Sequence, residues 1–349
     1  MASRDEEVAR LIQGPHTDAI QAIEEAAIRQ AVGGLDEDFT RLSRDTTTMW
    51  TRLFGGPRAD AGDDKLLQRI LAAVRTAIAR LFKGLGKRAG RALEDALSPA
   101  VALGVAQGSQ VLSRLTGRRT RGVDARPSRA VRRSASALPG IVDEQQRGAL
   151  ALLKAKLVRR LGVTGALAAV GRARGVIGKI KAAITHTVNE AVNDGIAEQI
   201  RAAGAKKVWV AERDACVSCA AYAGQVVDAD ADFPAGLSWD PNQRGRDEAV
   251  SGPPLHPHCR CRLAAWDDDW AQPGVPSLPE VLRREAWRSI ARGWSLPPES
   301  NAARVRAARE LLRTGVRLPK SVLEFAAGAV RAGRFEDRTF PATGPGTGH

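Results

Sequence analysis

The chain has 349 residues, 44% of them hydrophobic but only 4% aromatic, and a formal net charge of +14. No apolar run of about 18 residues occurs, so no membrane-spanning helix is expected. The charge, with a pI near 10.4, favours a polyanion such as nucleic acid as neighbour, unless it records only a coding bias toward Arg and Ala.

Residues 1–115 read as a helical N-terminal region. The opening Met1-Ala2-Ser3-Arg4-Asp5-Glu6-Glu7 is charged and lacks the apolar stretch of a signal peptide, so synthesis in a reducing cytoplasm is expected. Val8, Leu11 and Ile12, then Ala19, Ile20, Ile23, Ala26, Ala27 and Val32, recur at helical spacing. Gly33-Gly34 closes that helix, Asp36–Phe54 forms another, and Gly55-Gly56-Pro57 with Asp60, Gly62 and Asp63 breaks the chain. Over 64–82, Leu67, Ile70, Leu71, Val74, Ile78 and Leu81 line one helical face. Gly84, Gly86 and Gly90 loosen the helical pattern after residue 82, and Pro99 suits the first turn of a helix over 99–115.

Residues 116–139 read as a basic linker. Arg118, Arg119, Arg121, Arg126, Arg129, Arg132 and Arg133 face only Asp124, with Gly, Ser and Pro between them. Such a run is either a solvated segment or, against double-stranded DNA, a set of phosphate contacts without sequence readout.

Helix returns over 141–204. Leu150, Leu153, Leu157 and Leu161 make a stripe, and glycines at 162, 165, 171, 175 and 178 break up the next part. Ile184, Val188, Val192, Ile196 and Ile200 then mark a strong helix over 180–203. Thr185, His186, Asn189 and Asn193 form a polar row along it, which faces either solvent or the loops beyond the helix.

Lys206–Ala211, Gly224–Val227 and Arg262–Trp266 read as short strands, with 228–251 a long loop. All four cysteines lie between the first and last strands, as Cys216-x-x-Cys219 and Cys259-x-Cys261, with His256 and His258 beside the second pair. Two such pairs can complete one tetrahedral Zn²⁺ shell, with Cys216, Cys219, Cys259 and either Cys261 or His256 as donors. Both side chains of an extended C-x-C point to one face. Disulfides, inert buried thiols, or a catalytic cysteine with His256 or His258 as base are the competing readings.

The ordered motifs resemble the core of the phage Mu F-like minor head proteins, also called the phage head morphogenesis family. They are Trp209-Val210-Ala211-Glu212-Arg213-Asp214-Ala215-Cys216-x-x-Cys219, Gly224-Gln225-Val226-Val227, Phe233-Pro234-Ala235-Gly236-Leu237 and Pro253-Pro254-Leu255-His256-Pro257-x-Cys259-Arg260-Cys261. The resemblance covers residues 140–266 and is sharpest over 208–263. His258 stands where that family has Asn, so the resemblance favours His256 as the site residue. It implies a head-morphogenesis domain over 140–275 in a minor capsid protein of a tailed phage or prophage. Such a protein is made in the bacterial cytoplasm and carried in the virion. Its expected partners are the portal protein and inner capsid, with packaged double-stranded DNA adjacent and no membrane.

Residues 276–332 read as C-terminal helices, opened by a Ser277/Glu280 capping box and serving as a clasp on the cysteine region or a docking face. Residues 333–349 read as a disordered tail. The expected fold is α+β, predominantly α, with a small Cys/His-tied β-rich knot flanked by helices. No phosphate-cradling Gly loop, H-E-x-x-H or G-x-S-x-G occurs. The resemblance implies roles in head assembly and in DNA packaging or delivery rather than a reaction, so a non-enzyme is expected, with a cysteine-dependent enzyme of head maturation or a general nucleic-acid-binding protein as alternatives.

Overall fold

The computed structural model describes residues 2–56, 61–243 and 247–341. Helices α1 (Arg4–Leu11), α2 (Thr17–Val32), α3 (Leu35–Phe54), α4 (Asp64–Phe82), α5 (Leu85–Thr116), α6 (Arg129–Ser136), α7 (Leu138–Leu150), α8 (Ala155–Leu161), α9 (Val163–Arg174) and α10 (Val176–Ala202) precede strand β1 (Lys206–Val210). Helix α11 (Val217–Tyr222), strands β2 (Val226–Val227) and β3 (Arg262–Trp266), and helices α12 (Leu278–Arg292), α13 (Asn301–Arg313) and α14 (Lys320–Ala332) complete the chain. The fold is α+β and predominantly α, with one three-stranded antiparallel sheet in the order β2-β1-β3.

Packing divides the chain into two units. One, the site unit, comprises residues 1–21, 100–127 and 189–349; the other, the helical unit, comprises 22–99 and 128–188. These differ from the consecutive segments expected from sequence, because α2, α5 and α10 each supply residues to both units. The physical cause is side-chain burial: the first turns of the chain bury Val8, Ala9 and Ile12 with the sheet residues Val208, Val210, Ala264 and Trp266 and with Leu278, Val281 and Leu282 of α12.

In the helical unit, Leu67, Ile70, Leu71, Val74 and Ile78 are fully buried, as the amphipathic spacing of 64–82 requires. Phe39 and Phe82 meet edge-on at 6.3 Å. Gly165 sits where a Cβ would lie 3.0 Å from Val158 Cα, so α8 and α9 approach closely. The glycines of 162–178 therefore do not all break helices: Gly165 and Gly171 lie inside α9, and Gly178 inside α10.

In the site unit, α5 and α10 cross with their backbones nearly touching. A Cβ on Gly104 would lie 2.0 Å from Val192 O, and one on Gly195 would lie 2.1 Å from Val101 O. Pro99 does not start a helix, as expected from its ring, but lies within α5. Buried Leu93, Ala96 and Leu97 before it, and Ala100 and Val101 after it, hold the helix through the missing hydrogen bond.

The basic linker is shorter than expected. Residues 117–128 lack regular structure, whereas Arg129, Arg132 and Arg133 lie on α6. The irregular part is also held: Val123 N–H donates to Gln199 Oε1 at 3.0 Å, Gln199 Nε2 donates to Arg121 O at 3.3 Å, and Thr120 N–H donates to Ser113 Oγ at 2.9 Å. The first part of the expected disordered tail is ordered too. Phe335 is buried, Ser295 N–H donates to Arg338 O, and Trp294 meets Phe340 edge-on at 4.9 Å. Residues 342–349 of that tail lie outside the described residues.

Candidate metal centre

Strand pairing builds the site. β1 and β3 run antiparallel with Lys206 opposite Trp266 and Val210 opposite Arg262. The chain leaving β1 and the chain entering β3 therefore meet at one end of the sheet. The Cys216/Cys219 pair follows the first and the Cys259/Cys261 pair precedes the second, so residues 40 or more apart in sequence converge.

Cys216 caps α11 with an extended backbone, and its Sγ accepts the Cys219 N–H at 3.4 Å. His256 Nε2 lies 3.2 Å from Cys216 Sγ and 3.5 Å from Cys219 Sγ. Cys219 Sγ lies 3.6 Å from Cys259 Sγ. The donor atoms form two triads, Cys216/Cys219/His256 and Cys219/Cys259/Cys261, each within 4.8 Å and sharing Cys219. Cys219, Cys259 and Cys261 are buried, and Cys216 is half-buried. All four are free thiols rather than disulfides. The cluster is able to hold a metal ion.

His256 Nδ1 is 2.7 Å from Pro257 O, an arrangement that places the proton on Nδ1 and leaves the Nε2 lone pair facing the thiols. His258 is not among the clustered donors. Its φ of +68° is a left-handed conformation that Asn, Asp and His adopt more readily than most side chains. Between the bare side chains, the hydrogen bond with Cys219 and then that with His256 pull the Cys216 thiol well below its usual range. Its hydrogen bond with Cys216 pushes His256 up to about 9. Without an ion the two side chains favour a thiolate beside an imidazolium, and a bound ion would take the place of the Nε2 proton.

A second layer fixes the two cysteine turns. Asn189 Nδ2 donates to Cys259 O at 2.8 Å and to Cys261 O at 3.1 Å. Asn193 Nδ2 donates to Cys261 O at 3.3 Å, and its Oδ1 accepts the Leu263 N–H at 2.9 Å. Of the polar row on α10, these two residues thus face the cysteine turns and are buried; Thr185 and His186 are only half-buried. The C-terminal helices form the clasp on the other turn. Glu299 Oε1 accepts the Val217 N–H at 2.8 Å, Arg304 Nη1 donates to Ala215 O at 3.1 Å, and Ser289 Oγ donates to Arg213 O. Arg304 is fully buried and lies 3.4 Å from Glu299.

The base of the site is tied to the chain's first turns. The turn Ile12–His16 between α1 and α2 offers Ile12 O to Arg262 Nη2, which also donates to Thr17 Oγ1 and pairs with buried Glu212. The long loop 228–251 is closed by Phe233 pairing with Val250, by Trp209 tilted over Tyr222 and meeting Phe233 edge-on, and by Arg306 gripping Asp240 at 2.7 and 2.8 Å. Its two sides thus meet through backbone pairing.

Sequence reasoning missed Glu212, Arg262, Glu299 and Arg304. Each stands among many similar charges, and only the fold distinguishes a buried ion pair from a solvated one. The arginines expected to contact nucleic acid are all exposed: Arg118, Arg119, Arg121 and Arg126 in the site unit, and Arg129, Arg132 and Arg133 in the helical unit.

Comparison with protein-family models, with curated proteins and with solved structures gives no match to this chain.

Proposed function

We propose that this chain is a non-enzymatic minor capsid protein of the head-morphogenesis type, from a tailed phage or prophage, whose cysteine knot holds one structural Zn²⁺. Cys216, Cys219, His256 and Cys259 are its ligands, and Cys261 is a buried neighbour. The observation that carries the metal reading is the run of donor contacts at 3.2, 3.5 and 3.6 Å. A tetrahedral shell with Zn–S of about 2.3 Å and Zn–N of about 2.0–2.1 Å has edges of about 3.5–3.8 Å, which those three contacts approach. Cys259 groups with Cys219 and Cys261 rather than with Cys216 and His256, so it would close on them as the ion binds. Thiolate and imidazole are the donors that Zn²⁺ takes in structural sites, and the Asn189, Asn193 and Pro257 contacts supply the outer layer such sites need. Bound Zn²⁺ would supply folding free energy by tying the β1 exit to the β3 entry.

The capsid part rests on the motif series. The matching residues run as β1, the Cys216/Cys219 turn, β2, the Phe233–Leu237 segment and the entry to β3, all within the site unit. Portal protein and the inner capsid are the proposed partners, and the virion interior the proposed location.

One observation favours a second reading. Half-buried Cys216 at 3.2 Å from His256 has the geometry of an activated nucleophile. Individual Cys→Ser replacements in the full chain separate the two. For a structural ion, Ser at 216, 219 or 259 each releases zinc and lowers the melting temperature, while Cys261→Ser keeps the zinc. For an enzyme, Cys216→Ser alone abolishes turnover and leaves metal content and melting unchanged. Co-expression with the portal protein of the same prophage tests the capsid part: co-purification is expected, and its absence opposes it.

A further inference from the structure

The positive charge of this chain is concentrated in one unit. The helical unit holds 25 Lys and Arg against 13 Asp and Glu, giving +12 of the chain's +14. Residues 189–349 of the site unit balance at 21 against 21. A coding bias toward Arg would raise both, so it does not account for the difference. Within the helical unit, residues 128–188 carry 12 basic side chains and only Asp143 and Glu144. All twelve are exposed. Among the described residues, only Arg159 (with Asp64) and Arg174 (with Asp36) form ion pairs.

Local structure groups several of the free cations. On α6, Arg129, Arg132 and Arg133 stand at i, i+3 and i+4 on one face, opposite buried Val131 and Ala135. On α7, Gly148 follows Arg147, and the Arg172 side chain of α9 crosses over it, with Nε 3.4 Å from the place a Cβ would take. The absent side chain lets the second guanidinium lie beside the first helix. Like charges held together without counter-charges cost free energy in the isolated protein, and a polyanion removes that cost.

The chemistry of the surface selects among polyanions. Residues 128–188 contain no Trp, Tyr or Phe. Single-stranded nucleic acid is held largely by base stacking on aromatic rings, which this segment lacks. An interfacial membrane helix sets a row of apolar side chains beside its cations, whereas among the described residues of this segment Leu161 is the one exposed large hydrophobic. Duplex phosphates need neither, since Lys and Arg contacts with counterion release suffice. We propose that the basic surface of residues 128–188 binds duplex nucleic acid through its phosphates, with Arg129, Arg132 and Arg133 of α6 as one set of contacts and Arg147 and Arg172 as another. The binding surface is then not the irregular segment 117–128, whose backbone is hydrogen-bonded in place. The proposal does not depend on the metal centre.

The test is fluorescence anisotropy of the full chain on a labelled mixed-sequence duplex across a salt series. The expected result is affinity that falls linearly in log–log form with salt. For R129E/R132E/R133E combined with R147E/R172E, we expect binding at least about tenfold weaker and a salt slope shallower by about 0.9 per lost contact, whereas R118E/R119E/R121E changes affinity by less than about twofold. The exposed positions make wild-type melting curves the expected control, and Gln in place of Glu serves if charge reversal alters them. A DNA and an RNA duplex of the same sequence are compared; binding to either supports the proposal. It is overturned by absence of duplex binding at low salt, by equal or greater loss in the 118–121 variant, by tighter binding to the single strand, or by binding to phosphatidylglycerol vesicles and not to duplex.

Discussion

Replacing Asn189 by Ala probes whether α10 holds the second cysteine turn. The side chain donates to two buried carbonyls, at 2.8 Å to Cys259 O and 3.1 Å to Cys261 O. Cys261 O keeps a donor in Asn193 at 3.3 Å, so only Cys259 O loses its side-chain partner. An orphaned buried carbonyl costs about 1–3 kcal/mol, and the weakened second bond adds about 0.5–1 kcal/mol, for a total of about 1.5–4 kcal/mol. The same change frees the turn that carries a proposed ligand, and loss of such outer-layer contacts costs about 10–100-fold in metal affinity. Urea unfolding of the purified chain reads the first quantity, and chelator competition the second. Destabilisation below about 0.5 kcal/mol with unchanged metal retention would refute the reasoning, because a buried side chain bridging both carbonyls cannot be lost at so little cost.

On α10 itself, Gly195→Ala places a Cβ 2.1 Å from Val101 O and should destabilise by about 3 kcal/mol or more, whereas Gly178→Ala meets no atom within 4 Å and should stabilise by about 0.5–1 kcal/mol; denaturant melts of both compare them. Removing the buried guanidinium by Arg304→Met leaves Glu299 buried without its cation and Ala215 O without a donor, so a loss of about 3–5 kcal/mol is expected in the same assay. His16 is buried against Gln110, and burial first of all lowers its pKa from 6.5 to about 4. The unfolded chain therefore binds the proton first as pH falls, and stability should drop between about pH 6.5 and 4, by up to about 3 kcal/mol. His16→Gln should flatten that part of the pH profile of unfolding, and an unchanged slope would contradict the assignment.

Much of this fold follows from short-range pattern. The heptad-like leucines and isoleucines of 64–82 make α4, the alternation after Lys206 makes β1, and Ser277 with Glu280 starts α12, where Ser277 N–H donates to Glu280 Oε2 at 2.9 Å. The cysteine spacing points to one cluster, and antiparallel pairing of β1 with β3 explains why its two halves meet. What sequence could not convey is long-range. Pro99 reads as a helix start by local rules, yet apolar burial on both sides carries α5 through it. The same limit applies to Arg262 and Arg304, which resemble the surface arginines around them until Glu212, Glu299 and the turn carbonyls close over them. Net charge indicates a preference for polyanions, but its confinement to the helical unit emerges only when the chain is divided by packing.

Zinc analysis of the purified full chain, paired with a thiol count before and after chelation, tests the metal centre most directly. About one zinc per chain is expected, with the clustered thiols masked until the chelator removes the ion. A metal-free chain whose cysteines react without chelation would contradict a structural ion and leave Cys216 and His256 as a reactive pair.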